Sequence, residues 1–308
     1  MNPDLRLHRY TQWTAVFAAF VIFAGAMVTS TGSGMSVPDW PQSFGTWTPD
    51  MKGGVFFEHG HRLVAGALGL LVLALALWAA AREPRRWARM LTWGALIAVL
   101  AQAALGGLTV LRGTFFDWGH TDPIVSAMHA SLAQALLATL VAYATVSAPG
   151  WHSAAPRAKA PMGLALGAAA LALGVFVQIV VGAVMRHQQA GIIIYDFPLS
   201  YGHIIPPFYN GLVALNFAHR VGGWLLASLG GGFALRVAVD RSLDPWVRRP
   251  AGLFLGAVLA QFLLGASVVW TRLELPVLTS AHVLGGSALL CTAMVLALRL
   301  RSLSRGGR

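Results

Sequence analysis

The sequence predicts an all-α polytopic membrane protein, with eight transmembrane helices arranged as two tandem-duplicated four-helix bundles. Three observations predict it. Hydrophobic residues make up 56% of the chain and charged residues only 11%, against roughly 25% charged in an average soluble domain. Apolar runs of the length that a bilayer demands, about 20 residues per helical span, recur eight times along the chain. The two halves of the sequence also match each other.

The runs fall at residues 10–29, 58–80, 90–111, 124–146, 162–185, 212–237, 251–270 and 276–300. The first is of spanning length and no clear small-residue cleavage site follows it, so it reads as a helix and not as a cleavable signal. The second opens on three ionisable groups, Glu58, His61 and Arg62, where lipid should begin. Orientation follows from the basic residues, which accumulate in short cytoplasmic loops. Arg6 and Arg9 precede the first run; Arg82, Arg85, Arg86 and Arg89 separate the second from the third; Arg157 and Lys159 separate the fourth from the fifth. Arg236, Arg241, Arg248 and Arg249 surround the sixth connection, and Arg299, Arg301, Arg305 and Arg308 close the chain. Together these are 16 of the 22 basic residues, all on one side, so both termini are expected in the cytoplasm of a bacterial-type cell membrane. The net charge of +11 suits an anionic inner leaflet. Nucleic acid is not expected as a partner, because the charge forms no single-face patch on a soluble domain.

The connections expected outside are of another kind. Residues 30–57 and 186–211 are long and rich in Pro, Gly and aromatics, which suits interfacial elements or a lid. They also resemble each other. "GAMVTSTGSGMSVPDWP" from Gly25 and "GAVMRHQQAGIIIYDFP" from Gly182 align without a gap at Gly25/Gly182, Ala26/Ala183, Gly34/Gly191, Asp39/Asp196 and Pro41/Pro198. "EHGHRLVAG" then aligns with "NFAHRVGGW", and "QAALGGLTV" with "QFLLGASVV", pairing Gln102 with Gln261 and Gly106 with Gly265. "SAMHASLAQALL" aligns with "TSAHVLGGSALL". The chain reads as a tandem duplication, with residues 1–150 as one four-helix bundle and 151–308 as the other. An even number of spans per half means that both halves start on the same side, related by an axis along the membrane normal. Gly66, Gly69, Gly106, Gly107, Gly222, Gly223, Gly285 and Gly286 are expected to let helices approach closely.

Of ten histidines, His8, His59, His120, His152, His187 and His203 fall in loops or at span ends and are expected to be solvated or interfacial. The others repeat in register. His61, His129, His219 and His282 open the second, fourth, sixth and eighth runs, so all four lie at the outer membrane level, two per bundle. Ionisable groups inside a span are costly and read as functional. Zinc or copper would want three or four donors, and Cys291, the one cysteine, lies deeper in the last span as a small apolar side chain. Haem needs only one ligand on each face, which facing helices supply. Arg62 and Arg220 each follow a histidine and could meet haem propionates as forked donors, or snorkel to headgroups.

Glu58-x-x-His61-Arg62, then His129, His219-Arg220 and His282 in a duplicated eight-helix chain, together with the "VTSTGSGMSVPDWP" loop, resemble the haem A synthase family over nearly the whole sequence. The resemblance implies oxidation of the C8 methyl of haem O to the formyl group of haem A, by successive hydroxylations whose hydrated product loses water. It implies haem b as cofactor in the C-terminal half, on His219 and His282, and haem O as substrate in the N-terminal half, addressed by His61 and His129. Besides membrane lipid, a haem O synthase and a redox partner are the partners considered. One departure is plain: many members carry a cysteine pair in the first outer loop, and this chain has none there.

The residues separate the halves independently of that resemblance. Asn216 stands where Glu58 would be, each three positions before its histidine. Positions i and i+3 share a helix face, so Glu58 can reach the cavity of His61 and there move protons or stabilise developing charge. The alternative to this favoured role is a structural partner for Arg62 or for a ring N–H. Two other classes stay open: a di-haem b electron-transfer cytochrome, which gains nothing from a carboxylate in one half only, and a duplicated transporter, whose polar site would lie near the bilayer midplane.

Overall fold

The computed structural model describes residues 4–115, 121–151 and 158–304. Arg157, Arg305 and Arg308, used above for orientation, and His120 and His152 lie outside the described residues. The eight helices are α1 (Leu5–Ser30), α2 (Gly54–Arg82), α3 (Arg86–Phe115), α4 (Pro123–Val146), α5 (Met162–His187), α6 (Gly211–Val239), α7 (Pro245–Trp270) and α8 (Pro276–Ser304). Each is long and apolar enough to cross a membrane, and the chain is an integral membrane protein. No strand occurs among the described residues, only two isolated bridges in the loops.

The helices run past the apolar segments because a helix ends at its cap, not at the lipid boundary. Asp4 caps α1 by accepting from the Arg6 and Leu7 N–H groups, and Asn210 caps α6 in the same way. Asp122 and Asp244 precede Pro123 and Pro245, which fit the first turn because their missing N–H has no helical partner there. Helix α7 therefore starts at Pro245, ahead of the apolar run, and carries Arg248 and Arg249 near its start. Helix α6 departs from a single continuous span: it is α-helical to Leu225, π-helical over Leu226–Gly230 and α-helical again from Gly231. Such π turns are single insertions that interrupt the regular ladder.

Helices α1 to α4 close a ring, each packed on its neighbour and α4 on α1, and helices α5 to α8 close a second ring in the same order. The rings meet through α1 on α8, α4 on α5, and α4 on α8. Leu75, Val72, Leu140 and Tyr143 centre one apolar core, while Phe254, Ala234 and Ala293 centre another. Facing outward at mid-span, Leu70, Ile97 and Leu253 are each about two-thirds exposed, the arrangement expected when lipid replaces water around an apolar surface. Cys291 is a free, half-buried thiol packed against the first core.

Candidate functional site

Four histidines stand near the start of helices α2, α4, α6 and α8, and each ring is seated against a glycine of a neighbouring helix. A Cβ built on Gly25 would come within 2.8 Å of His61 Cε1, one on Gly182 within 2.8 Å of His219 Cε1, one on Gly265 within 2.9 Å of His282 Cε1, and one on Gly106 within 3.2 Å of His129 Cε1. Helices α1, α3, α5 and α7 thus each supply one notch. All four are matched positions of the repeat, so their signal is in the sequence, although only Gly106 is among the glycines expected to let helices approach. Gly107, Gly222 and Gly285 likewise face side chains, namely Trp40, Gln178 and Gln261, and Gly66, Gly69 and Gly223 face open space. The close contacts are between ring or amide and backbone, because a notch beside a bulky polar side chain leaves it room to pack.

The histidines form pairs. The rings of His219 and His282 stand 6.5 Å apart, centroid to centroid, at 79° to each other, and His129 lies within electrostatic range of His61. Gln178 donates to His219 Nδ1 at 3.0 Å and to the His219 carbonyl at 2.6 Å, and Gln261 donates to the His282 carbonyl at 2.9 Å. Nδ1 of His61, His129 and His282 is buried with no hydrogen-bond partner. Unpartnered buried polar atoms are uncommon and call for a reason. Among the described residues no group of three or more His, Cys, Asp or Glu converges on a common point.

Over each pair sits a long loop held by one arginine. Arg62 donates to the carbonyls of Asp39 (2.7 Å), Gln42 (2.8 Å) and Val37 (3.3 Å) and to Glu58 Oε1 (2.6 Å). Arg220 donates to the carbonyls of Asp196 (2.6 Å), Leu199 (3.0 Å) and Ile194 (2.6 Å) and to Asn216 Oδ1 (2.9 Å). Most of each guanidinium is therefore engaged by the loop. Within the loops, Asp39 accepts from the Phe44 and Gly45 N–H groups, and Asp196 from those of Tyr201 and Gly202. Phe44 and Tyr201 both sit at φ 54°, a left-handed conformation unfavourable for bulky residues, and the carboxylates hold it. Hydrogen bonds from the Gly45 and Phe44 N–H groups keep the Asp39 carboxyl below its ordinary range.

Glu58 is buried, at 4% exposed, and accepts from the Val37 N–H at 2.9 Å as well as from Arg62. Asn216 is as buried, but donates to the carbonyls of Ala190 and Gly191. Two of the histidines expected to be solvated or interfacial are placed otherwise, and a third stays at its span end. His59 is buried and shares a 2.7 Å hydrogen bond with Ser43; His8 is buried against Ser147 at 3.2 Å; His187 is half-buried at the end of α5. Their positions beside helix ends concealed the loops that fold over them, a contact distant in sequence that local pattern does not carry.

The family described as COX15-CtaA, cytochrome oxidase assembly protein, matches residues 50–295. The chain belongs to that family. The matched stretch of the COX15-CtaA family takes in Glu58, His61, Arg62, His129, His219, Arg220 and His282. Among its relatives, the "Heme A synthase" of Symbiobacterium thermophilum is 34% identical over 70% of this chain and 70% of its own length. That of Alkalihalophilus pseudofirmus is 30% identical over 88% and 90%. A third, from Geobacillus kaustophilus, is 28% identical over 96% and 94%.

Proposed function

We propose that this chain is a haem A synthase, an oxidoreductase that converts the C8 methyl of haem O to a formyl group. The observation that carries the reading is the pairing of four glycine-seated imidazoles at one membrane level, with a buried carboxylate beside one pair only. The residues suit haem. The notches seat four buried imidazoles, Nδ1 of three of them has no partner among the described residues, and imidazole is a haem-iron donor, so these paired histidines would be the residues that hold the group.

In this reading His219 and His282 hold haem b in the C-terminal half, and His61 and His129 address the iron of substrate haem O in the N-terminal half. Haem b, when bound, supplies a redox centre beside the substrate site. Glu58 does the local proton work: its carboxylate lies one helical turn from His61 on the same face, and low dielectric strengthens its effect on charge developing at the oxidised carbon. Arg62 holds that carboxylate and the loop above it, which excludes water. Arg62 and Arg220 each make four hydrogen bonds to protein, so of five guanidinium N–H groups one remains on each for a propionate.

Haem O reaches the N-terminal pocket from lipid, beneath the loop with Asp39, Trp40 and Pro41, because an aqueous route would expose its apolar tail. The repeat places Gly66 and Ala103 where the C-terminal half has Trp224 and Phe262, whose rings pack 4.5 Å apart. Gly66 faces open space. The termini lie in the cytoplasm and the pockets near the outer face, with a haem O synthase and a redox partner as candidate neighbours. The test is aerobic and anaerobic incubation of the purified protein with haem O, followed by pigment analysis. Formation of haem A with a single resident haem b supports the reading; two permanent b haems and no conversion would replace it with an electron-transfer cytochrome.

A further inference from the structure

Arg186 is a cation near the end of a membrane-spanning helix with no carboxylate to meet it. None of the ion pairs among the described residues includes it. Nη2 donates to the Ala26 carbonyl at 2.8 Å and to Ser30 Oγ at 2.7 Å, both on α1 of the other ring, and Ser30 Oγ in turn lies 3.0 Å from Ser280 Oγ on α8. Among the described residues Nε and Nη1 have no acceptor. Leaving a guanidinium edge unpaired in a span is costly.

Its surroundings say what the edge serves. Arg186 lies four residues after Gly182 on α5, hence on the same helix face and one turn outward, and Gly182 is the notch that seats His219. Arg186 is also within electrostatic range of the His282 ring. Ser280, at the far end of the serine link, lies two residues before His282 and is fully buried. The repeat puts Thr29 at the matching place in the N-terminal half, so the cation belongs to one pocket alone. Arg62 and Arg220, the other arginines near the pockets, are largely used by their loops.

We propose that Arg186 binds a propionate carboxylate of the haem in the C-terminal half and, by its charge, raises that haem's reduction potential. This rests on the assignment of haem b to His219 and His282. A fixed positive charge favours the reduced iron, which carries one positive charge less, and the N–H groups left on Nε and Nη1 can each give a carboxylate oxygen a charge-assisted hydrogen bond. The bond from Nη2 to α1, beside the Gly25 notch of His61, also ties this pocket to the substrate half.

The experiment is a redox titration of the haem b absorption in purified wild type, Arg186→Gln, Arg186→Lys and Ser30→Ala. Arg186→Gln should move the midpoint to lower potential and speed haem loss on dilution about tenfold, the loss of one charge-assisted hydrogen bond. Arg186→Lys should stay near wild type in midpoint, and Ser30→Ala, which keeps the charge and removes a seam contact, should not move it. An unshifted midpoint in haem-loaded Arg186→Gln overturns the proposal, as does a shift in Ser30→Ala as large as in Arg186→Gln. If Arg186→Gln holds no haem, Arg186→Lys decides: retained haem at near wild-type midpoint supports the charge. Loss of haem and of thermal stability in both variants overturns it in favour of a seam role. Absence of haem b from wild type, or its persistence in His219→Ala, would instead remove the assignment beneath it.

Discussion

The long loops of the two rings, at residues 30–57 and 186–211, are held by matching contacts, whereas the pockets beneath them differ in charge. In each loop an aspartate accepts two N–H groups of a left-handed turn, and an arginine one position after a histidine donates to three loop carbonyls. Below, one pocket holds a buried carboxylate, Glu58, where the other holds the neutral amide of Asn216. The other pocket has a half-buried cation, Arg186, where the first has Thr29. A shared frame with opposite charges teaches that the frame sets where the imidazoles stand, and that single side chains make the two sites differ.

The strongest way to break this comparison is to remove the imidazoles one at a time. His219→Ala and His282→Ala should each abolish the haem b spectrum, while His61→Ala and His129→Ala should abolish conversion of haem O and leave that spectrum in place. Reduced-minus-oxidised spectra of the four purified variants test it, and a spectrum lost equally in all four would erase the division between the halves. Next in size, Glu58→Gln should slow haem A formation at least about 100-fold, in the range of a lost general acid or base, with haem b unchanged. Because Glu58 also anchors Val37 and Arg62, thermal melting must be followed alongside; normal turnover would end its catalytic role.

The notches give a graded test. A methyl on Gly182 or Gly265 has to displace a ring that it would meet at 2.8 or 2.9 Å, whereas one on Gly106 meets His129 at 3.2 Å. Gly182→Ala and Gly265→Ala should therefore weaken haem b binding, by on the order of tenfold for about 1.4 kcal/mol of lost fit, and Gly106→Ala should cost less in substrate affinity than Gly25→Ala does. Gly66→Trp, which gives the N-terminal half the bulk of Trp224, should raise the KM for haem O without altering haem b; an unchanged KM would redirect the lipid route. The smallest effect concerns the loops. The carboxyl of Asp39 is held below its ordinary range, so its contribution is present above the unfolded value and lost as pH falls through the lowered one. Limited proteolysis within residues 30–57 should quicken in acid, and Asp39→Asn should quicken it at neutral pH.

Much of this was legible in the sequence. Eight apolar runs became eight helices because the hydrocarbon length sets the period, and the histidine register survived into space because each opens a helix. Glu58 stood out as a carboxylate at a span mouth. Less legible were contacts made by backbone. Nothing in "DWPQS" announces that its carbonyls will receive a guanidinium 20 residues away, so Arg62 looked free for a ligand. The π-helical turn of α6 carries no local signature in "LASLG". Arg186 was counted as a loop residue because an apolar run ends just before it, yet α5 continues and carries it to the seam.

Cys291 of α8 packs against the N-terminal core, and Ala138 of α4 belongs to the C-terminal one. Each ring thus borrows from the other's last helix, and the loan runs in opposite temporal order. Ala138 is already in the bilayer when α5 to α7 emerge from the ribosome, a finished surface on which they can settle. The N-terminal core must wait until the final span is inserted before its last neighbour arrives. A chain interrupted after α7 would leave α4 and α1 facing lipid where α8 belongs, so the N-terminal pocket, although encoded first, is completed last.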